Sequence, residues 1–405
     1  MADLRPFAAW RPRPDCAARL CELPYDVVSA AEARQLAAGN PLSFFHVSRP
    51  EVDLPLTSDP YAPEVYRRGR ENFLRLIADG ALVRDPSPAY YLYRQASGAR
   101  CQTGLVALAS CDEYRRGVVR KHELTRMEKE DDRARHIAAL DAQTGPAFLA
   151  YCAQPELDQY LEERTAGEPA IDFAAPDGVR HSAWVIADTA GLACIQAGTR
   201  QIPRLYIADG HHRTAAAARV NDLRRGEAGS EYFLAVAFPH DRLRVLPYHR
   251  VVKDLNGLSP ESLRRRLETV LEPCPGGAAQ PPQPRQIGFY LSGAWQRLRF
   301  RPALTEGTEG IAALDVALLQ RHVLGPIFGI DDPRASPRLG FVGGIRGTGE
   351  LERLVDAGTY ACAFALYPTW VEQLLAIADA GGVMPPKSTW FDPKLRDGMF
   401  SYRLA

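Results

Sequence analysis

The sequence predicts a mixed α/β fold, and three observations predict it. Apolar runs of strand length alternate with helical segments over about residues 118–252. Several charged segments carry apolar positions three and four residues apart, the spacing of one helix face. The chain has 405 residues, 46% hydrophobic and 24% charged, enough to bury a large core in two or three domains. Lysine plus arginine equals aspartate plus glutamate at 49 each, so no net field draws the chain toward nucleic acid or a membrane surface. No apolar stretch reaches the roughly 20 residues that span a bilayer. The eight cysteines form no CxxC pair, and the opening "MADLRPFAAWRPRPD" lacks an apolar export segment, so a cytoplasmic chain with reduced thiols is expected. The absence of any His and Cys cluster at ligand spacing speaks against zinc.

Each element has its own signal. Ser29 and Glu32 form a capping box for a helix over residues 30–38, stopped by Gly39 and Pro41. "PEVYRRGRENFLRLIADG" reads as a longer helix ending at Gly80. "AYYLYRQ" and "TGLVALAS", joined by a turn at Ser97 and Gly98, read as a hairpin. A short β run then leads into the charged helix of "RMEKEDDRARHIAAL". The strand candidates "AFLAYC", "SAWVIAD", "LYIAD", "YFLAVAF" and "LRVLPYHRVV" follow, with helical segments between them. "SPESLRRRLETVL" restarts a helix, and "EPCPGGAAQPPQPRQ" is the strongest candidate for a boundary or flexible loop. Beyond it come a hairpin, "IGFYLSGAWQRLRF", helices near 311–324 and 351–356, a strand "ACAFALYP" and a helix "TWVEQLLAIADA". The expected division is an N-terminal region 1–115, a core 116–253 and a C-terminal region 254–405.

The chemistry concentrates at "LYIADGHHRTAAAAR". Leu205–Ala208 reads as a buried strand and Thr214–Val220 as a helix, which leaves Asp209, Gly210, His211, His212 and Arg213 at the turn between them. Glycine permits close backbone approach, free amides at the helix start attract anions, and Arg213 offers a two-pronged grip on oxygens. Asp209 could hold Mg²⁺ or accept a proton; its plainer reading is a helix cap. "KHELT" sets Glu123 beside His122, the pairing a general base for a hydroxyl requires, with Thr125 in reach; its plainer reading is a polar loop. In the helix that follows, Lys129 and Arg133 could meet a phosphate, though a solvated face is the simpler account. "PPKSTWF" places Lys387, Ser388 and Thr389 on a stiffened loop suited to phosphate or a polar substrate, or else docked on the core. In "LPYHRVV", His249 and Arg250 face opposite ways, and His249 is the better pocket residue. Asp26 in "LPYDVVS" reads as bonding to nearby amides, and "FVGGIRGTGE" as a turn.

Five stretches, "LPYDVVSAAEARQL", "VVRKHELTRMEKEDDR", "LYIADGHHRTAAAA", "LPYHRVV" and "MPPKSTWFDPK", in this order over almost the whole chain, resemble a widespread bacterial and archaeal family known as a domain of unknown function. Its central part is similar to the ParB/sulfiredoxin superfamily, with free serine kinases the nearest relatives in chemistry. The resemblance implies a ParB/sulfiredoxin-like core with N- and C-terminal α/β extensions. It also implies that Asp209, Gly210, His211, His212 and Arg213 engage donor phosphates and metal, with Glu123 as the base facing an acceptor hydroxyl. Two motifs depart from the family: "ELPYDVVS" lacks a second proline before the tyrosine, and "RMEKEDDR" lacks a Pro-Lys before Asp-Arg. The function implied is transfer of a phosphoryl group from ATP, ADP or pyrophosphate, with Mg²⁺, to free serine or a similar amino acid. A nucleotide-binding switch or partition factor and a phosphatase on the same turn stand as alternatives; charge balance and the lack of a helix-turn-helix weigh against a nucleic-acid partner. The sequence leaves a homodimer open.

Overall fold

The computed structural model describes residues 1–224, 227–276 and 279–404. Within them the chain divides into two compact units, residues 1–243 with 393–405, and residues 244–392. A nine-stranded sheet organises the first. Its strands are β1 (Leu4–Arg5), β2 (Tyr90–Ser97), β3 (Arg100–Ser110), β4 (Val119–Arg120), β5 (Ala147–Tyr151), β6 (Ile171–Ala174), β7 (Arg180–Ile186), β8 (Leu205–Asp209) and β9 (Tyr232–Pro239). They lie in the order β4-β8-β5-β9-β3-β2-β7-β6, with β1 against β3. The pairings are mixed: β8 runs parallel to β4 and β9 parallel to β5, while the β2–β3 hairpin and its neighbours are antiparallel. The central strands are covered on both faces, which explains why they read as unbroken apolar runs rather than alternating ones. Every residue of β5 is buried.

Four helices of this unit enter the account: α1 (Ala30–Ala37), α2 (Pro63–Ala78), α3 (Met127–Leu140) and α4 (His211–Leu223). The capping box of α1 is present, with the Ser29 hydroxyl accepting from the Glu32 amide and the Glu32 carboxylate accepting from the Ser29 amide. Helix α4 is short-chained where it is covered; Ala215–Ala218 are all buried, which lets α3 pack closely against it. The alanine stretch is therefore a packing surface, and burying small side chains there costs little rotamer entropy.

The expected three-part division does not hold. The hairpin of residues 90–110 sits inside the same sheet as β5, β8 and β9, so a boundary at 115/116 would cut through paired strands. Tyr90–Tyr93 are fully buried and the backbone of Tyr91–Tyr93 is paired on both sides, a state the N-terminal region could not reach alone. The C-terminal tail also returns to the first unit, where Tyr402 and Arg403 pair with Gln143 and Ala142.

The second unit has a six-stranded sheet of β10 (Tyr248–Val252), β11 (Leu271–Pro273), β12 (Gln286–Leu291), β13 (Ala294–Phe300), β14 (Leu339–Gly343) and β15 (Cys362–Leu366), ordered β11-β13-β12-β15-β10-β14. Phe289 on β12 stacks on Phe364 of β15 with centroids 5.0 Å apart. The proline-rich stretch, expected as a boundary, is instead a connection between β11 and β12 of this one sheet; its residues 277 and 278 lie outside the described residues. Among the described residues no helix is long and apolar enough to cross a membrane, and the cysteines are all unpaired.

Candidate functional site

The site begins with two parallel strands. Leu205 of β8 stands opposite Val119 of β4, and Tyr206 opposite Arg120, so both strands end at the same edge of the sheet. The residues that follow each strand, Lys121–Glu123 and Gly210–Arg213, are thereby delivered to one place, the position where open α/β sheets bind ligands. The pairing of β8 with β5 slips between Ile207 and Asp209, an irregularity of the kind that re-aims side chains at the end of a strand.

Helix α4 begins at His211, three residues before the start at Thr214 expected from the sequence. Gly210 is its N-cap, with φ +89°, a left-handed conformation that side-chain-bearing residues rarely adopt. A Cβ there would also stand 3.3 Å from the Ala147 Cα. His211, His212 and Arg213 therefore belong to the first helical turn rather than to the loop expected from the sequence. Asp209 does not cap the helix; its Oδ1 accepts from the Gly210 amide at 2.8 Å and its Oδ2 from Lys394 Nζ at 2.6 Å. Burial alone would raise the Asp209 carboxyl, but Lys394 and Arg213 outweigh it and hold the group well below the usual carboxylate range.

His122, Glu123 and His211 come together. One ligand-type atom from each lies within 4.8 Å of the others. The two imidazoles meet edge to face, centroids 4.5 Å apart at 88°, and are 2% and 6% exposed. His122 Nδ1 and His211 Nε2 are buried without a hydrogen-bond partner, while the His122 ring also bonds to the Ile207 carbonyl. Burial holds His122 down to about 4 against the pull of Asp209, and burial with neighbouring His122 pushes His211 well below its ordinary value. Both rings are neutral at pH 7. The scattered sequence positions predicted no histidine cluster; among the described residues, folding supplies one.

The other residues singled out from the sequence are engaged within the protein. His212 Nε2 accepts from the Arg126 amide at 3.1 Å, fastening the start of α3. Thr125 donates to Glu130 at 3.1 Å, and Lys129 to the Tyr61 hydroxyl at 2.7 Å. Arg213 is 8% exposed; it donates to the Pro146 carbonyl at 2.5 Å and lies 3.6 Å from Asp26. The Asp26 carboxylate thus faces a guanidinium rather than the amides expected of it. Burial works against the charge on Arg213, but Asp26, Asp209 and Asp397 outweigh it and hold the pKa above the ordinary value. Arg133 makes two bonds to Asp132, at 2.8 and 3.0 Å, and stacks over Tyr25 at 4.1 Å. Together Tyr25, Arg133, His136, Arg213 and Asp397 line a cavity. Within it, burial pushes Asp397 up to about 7 despite Arg213.

His249, Lys387, Ser388 and Thr389 belong to the second unit. His249 is fully buried there and its Nδ1 accepts from the Leu366 amide at 3.1 Å. Its neighbour Arg250, which the strand alternation turns the other way, donates to the carbonyls of Pro386 and Lys387, both at 3.1 Å. Ser388, expected to present its hydroxyl, is buried, and that hydroxyl is spent on the Pro385 carbonyl at 2.6 Å. Lys387 adopts φ +54° and places its ammonium 5.5 Å from the Tyr248 ring.

Sequence reasoning passes over Lys394, the residue that grips Asp209. Its one signal is the tail stretch "MPPKSTWFDPK", where the lysine closes a motif whose attention falls on Lys387–Thr389.

The chain belongs to the family DUF1015, described as a protein of unknown function, whose pattern matches residues 4–317. No curated protein matches the chain. Among solved structures it is similar to a free serine kinase variant in complex with AMP, at 12% identity over 71% of this chain and 86% of that one, with a TM-score of 0.38. It is likewise similar to SbnI with a C-terminal truncation from Staphylococcus aureus, at 11% identity over 72% and 85%, TM-score 0.38. A conserved hypothetical protein from Pyrococcus furiosus shows 12% identity over 72% and 93%, TM-score 0.37. Likeness at this level leaves the functional reading to the chain's own residues.

Proposed function

We propose that this member of the DUF1015 family is a small-molecule kinase, moving a phosphoryl group from ATP, ADP or pyrophosphate to the hydroxyl of free L-serine or a similar amino acid. The observation that carries the reading is the convergence of Glu123 with the turn that opens α4, from far apart in the sequence. Glu123 takes the acceptor's proton as the hydroxyl oxygen bonds to phosphorus and the donor's bridging P–O bond breaks. O-phosphoserine leaves with ADP, AMP or phosphate, according to the donor. Phosphoryl transfer asks the protein mainly for in-line positioning and compensation of charge. The first-turn amides of α4, which have no intrahelical acceptors, and Lys394 beside Asp209 support that role. Arg213 and Arg133, buried among carboxylates, act by holding the turn in place. Their guanidinium groups carry the structural half of the phosphate role the sequence suggested for them.

Magnesium is proposed as a counter-ion carried on the donor's phosphates. Among the described residues no oxygen cage forms for it: Asp209, the carboxylate expected to hold it, is engaged by Lys394, and the cluster beside it offers two imidazoles. The proton transfer at Glu123 does not depend on it. The reading places the enzyme in the cytoplasm.

Incubation of the purified chain with serine, Mg²⁺ and each donor in turn, followed by mass spectrometry, is expected to yield O-phosphoserine with at least one donor. Phosphate released without any amino acid would identify a hydrolase, and donor binding without turnover a switch; either outcome ends the kinase reading. Glu123→Gln is expected to lower transfer by about 10²- to 10⁴-fold, the range for a general base, with donor affinity nearly unchanged.

A further inference from the structure

We propose that His122, Glu123 and His211 form a three-ligand site for a divalent transition-metal ion, zinc foremost, held by the chain itself. Three independent features point there. The ligand atoms already stand within 4.8 Å of one another. Around a tetrahedral zinc with bonds of about 2.0–2.1 Å, neighbouring ligand atoms are separated by roughly 3.3 Å, so closing on the ion brings them together by no more than roughly 1.5 Å. The second feature is the unmet lone pairs. His122 Nδ1 and His211 Nε2 are both buried without partners, and a buried polar atom left so is unfavourable unless something occupies the space it faces. Edge-to-face contact between the rings satisfies their carbon edges but leaves those nitrogens unanswered.

The third feature is orientation. The Ile207 backbone carbonyl interacts with the His122 ring, a contact that helps hold its orientation. Metal-ligating histidines are ordinarily oriented in this way, by a carbonyl or carboxylate on the far side of the ring. The donor set also selects the metal class. Two imidazoles and a carboxylate suit zinc, manganese, iron or nickel, whereas magnesium seeks an octahedron of oxygens. Three protein ligands leave a fourth position for water or a substrate oxygen, where a metal of this kind acts as a Lewis acid. Glu123 would ligate through one carboxylate oxygen, as carboxylates do at such sites.

The inference concerns the same site as the kinase reading but is tested without any reaction. The full-length chain, stripped with a chelator, is titrated with Zn²⁺ alone by calorimetry, with Mg²⁺ in a parallel run and Co²⁺ as a spectroscopic probe. One equivalent of Zn²⁺ per chain at micromolar affinity or tighter is expected, with negligible Mg²⁺ uptake and the visible absorption of tetrahedral Co²⁺. His211→Ala and His122→Ala should each weaken Zn²⁺ binding by about 100-fold or more, and the half-buried Glu123→Gln, least disturbing to folding, by at least about 10-fold. Circular dichroism confirms that the variants compared are folded. No stoichiometric uptake, or uptake unchanged in the folded Glu123→Gln chain and in either histidine variant, overturns the site; the second result would assign the zinc to thiols such as the exposed Cys101, Cys152 and Cys194. Zinc bound without O-phosphoserine formation would refute only the kinase, and O-phosphoserine formed without zinc only the metal site.

Discussion

His211 and Arg213 stand two residues apart on the first turn of α4, yet they serve regions built on opposite principles. His211 turns to a corner of neutral rings whose inward nitrogens have no partners. Arg213 turns to a cavity where charge answers charge: Arg213 with Asp26, Arg133 with Asp132, and Asp397 in the field of both guanidinium groups. The sequence gives no hint of the difference, since both residues are polar and both lie in the "DGHHR" turn. What separates them is charge: around Arg213 cations and carboxylates are matched, even though Arg213 Nε and Asp397 Oδ1 themselves lack partners, whereas the corner at His211 is lined by neutral imidazoles. Matched charge holds a turn in place, while neutral ring nitrogens without partners are suited to a ligand.

The sharpest way to break this comparison is to remove Arg213. Arg213→Ala takes the cation from the buried Asp397 and the exposed Asp26, a change that costs about 3 kcal/mol, the low end for buried pairs because Asp26 is solvated. Urea denaturation should show that loss; stability within experimental error of the parent chain would mean the arginine is free for ligand, as its position in the motif suggested.

Smaller in stability but closer to function is Lys394→Met. The lysine side chain is 10% exposed and its ammonium meets Asp209 Oδ2 at 2.6 Å. Its removal should weaken donor binding by about ten-fold, the cost of one charge-assisted contact, while fluorescence or calorimetric melting shows a loss of about 1–3 kcal/mol. Unchanged donor affinity would confine Lys394 to bracing the turn.

The least drastic test uses pH, because the two regions titrate in opposite senses. Asp397 is raised from 3.8 to about 7, so its contribution is fully present below 3.8 and is lost as pH rises through 7. His122 is depressed from 6.5 to about 4, so its contribution is present above 6.5 and is lost as pH falls toward 4. Asp397→Asn should remove the first effect alone. Between pH 4 and 7 the parent chain should lose stability relative to the variant at up to about 1.4 kcal/mol per pH unit, and a constant difference across that window would show that Asp397 is ionised throughout.

Much of the local structure was legible. The capping box of α1, the hairpin at residues 90–110, the charged helix α3 and the strand entering "DGHHR" all follow from caps, turns and periodicity, which are encoded within a few residues of where they act. The start of α4 was misplaced because alanine periodicity begins at Thr214, whereas the helix is set by the left-handed Gly210. The division into units was misread because strand partnership is not local. A proline-rich stretch that looks like a linker joins two strands of one sheet, and strands on either side of the expected boundary at 115 are neighbours.

By itself, then, the sequence determined a mixed α/β chain, its family, and two polar stretches with the residue types that phosphoryl chemistry uses. Only the tertiary structure decided that those stretches meet. Parallel pairing of Val119–Arg120 with Leu205–Tyr206 sends both out over the same sheet edge. It likewise decided that the tail lysine grips Asp209 and that two distant histidines face each other. Propensity and period act over one or two turns of chain, whereas register between strands far apart in sequence is fixed by burial and backbone pairing across the whole sheet.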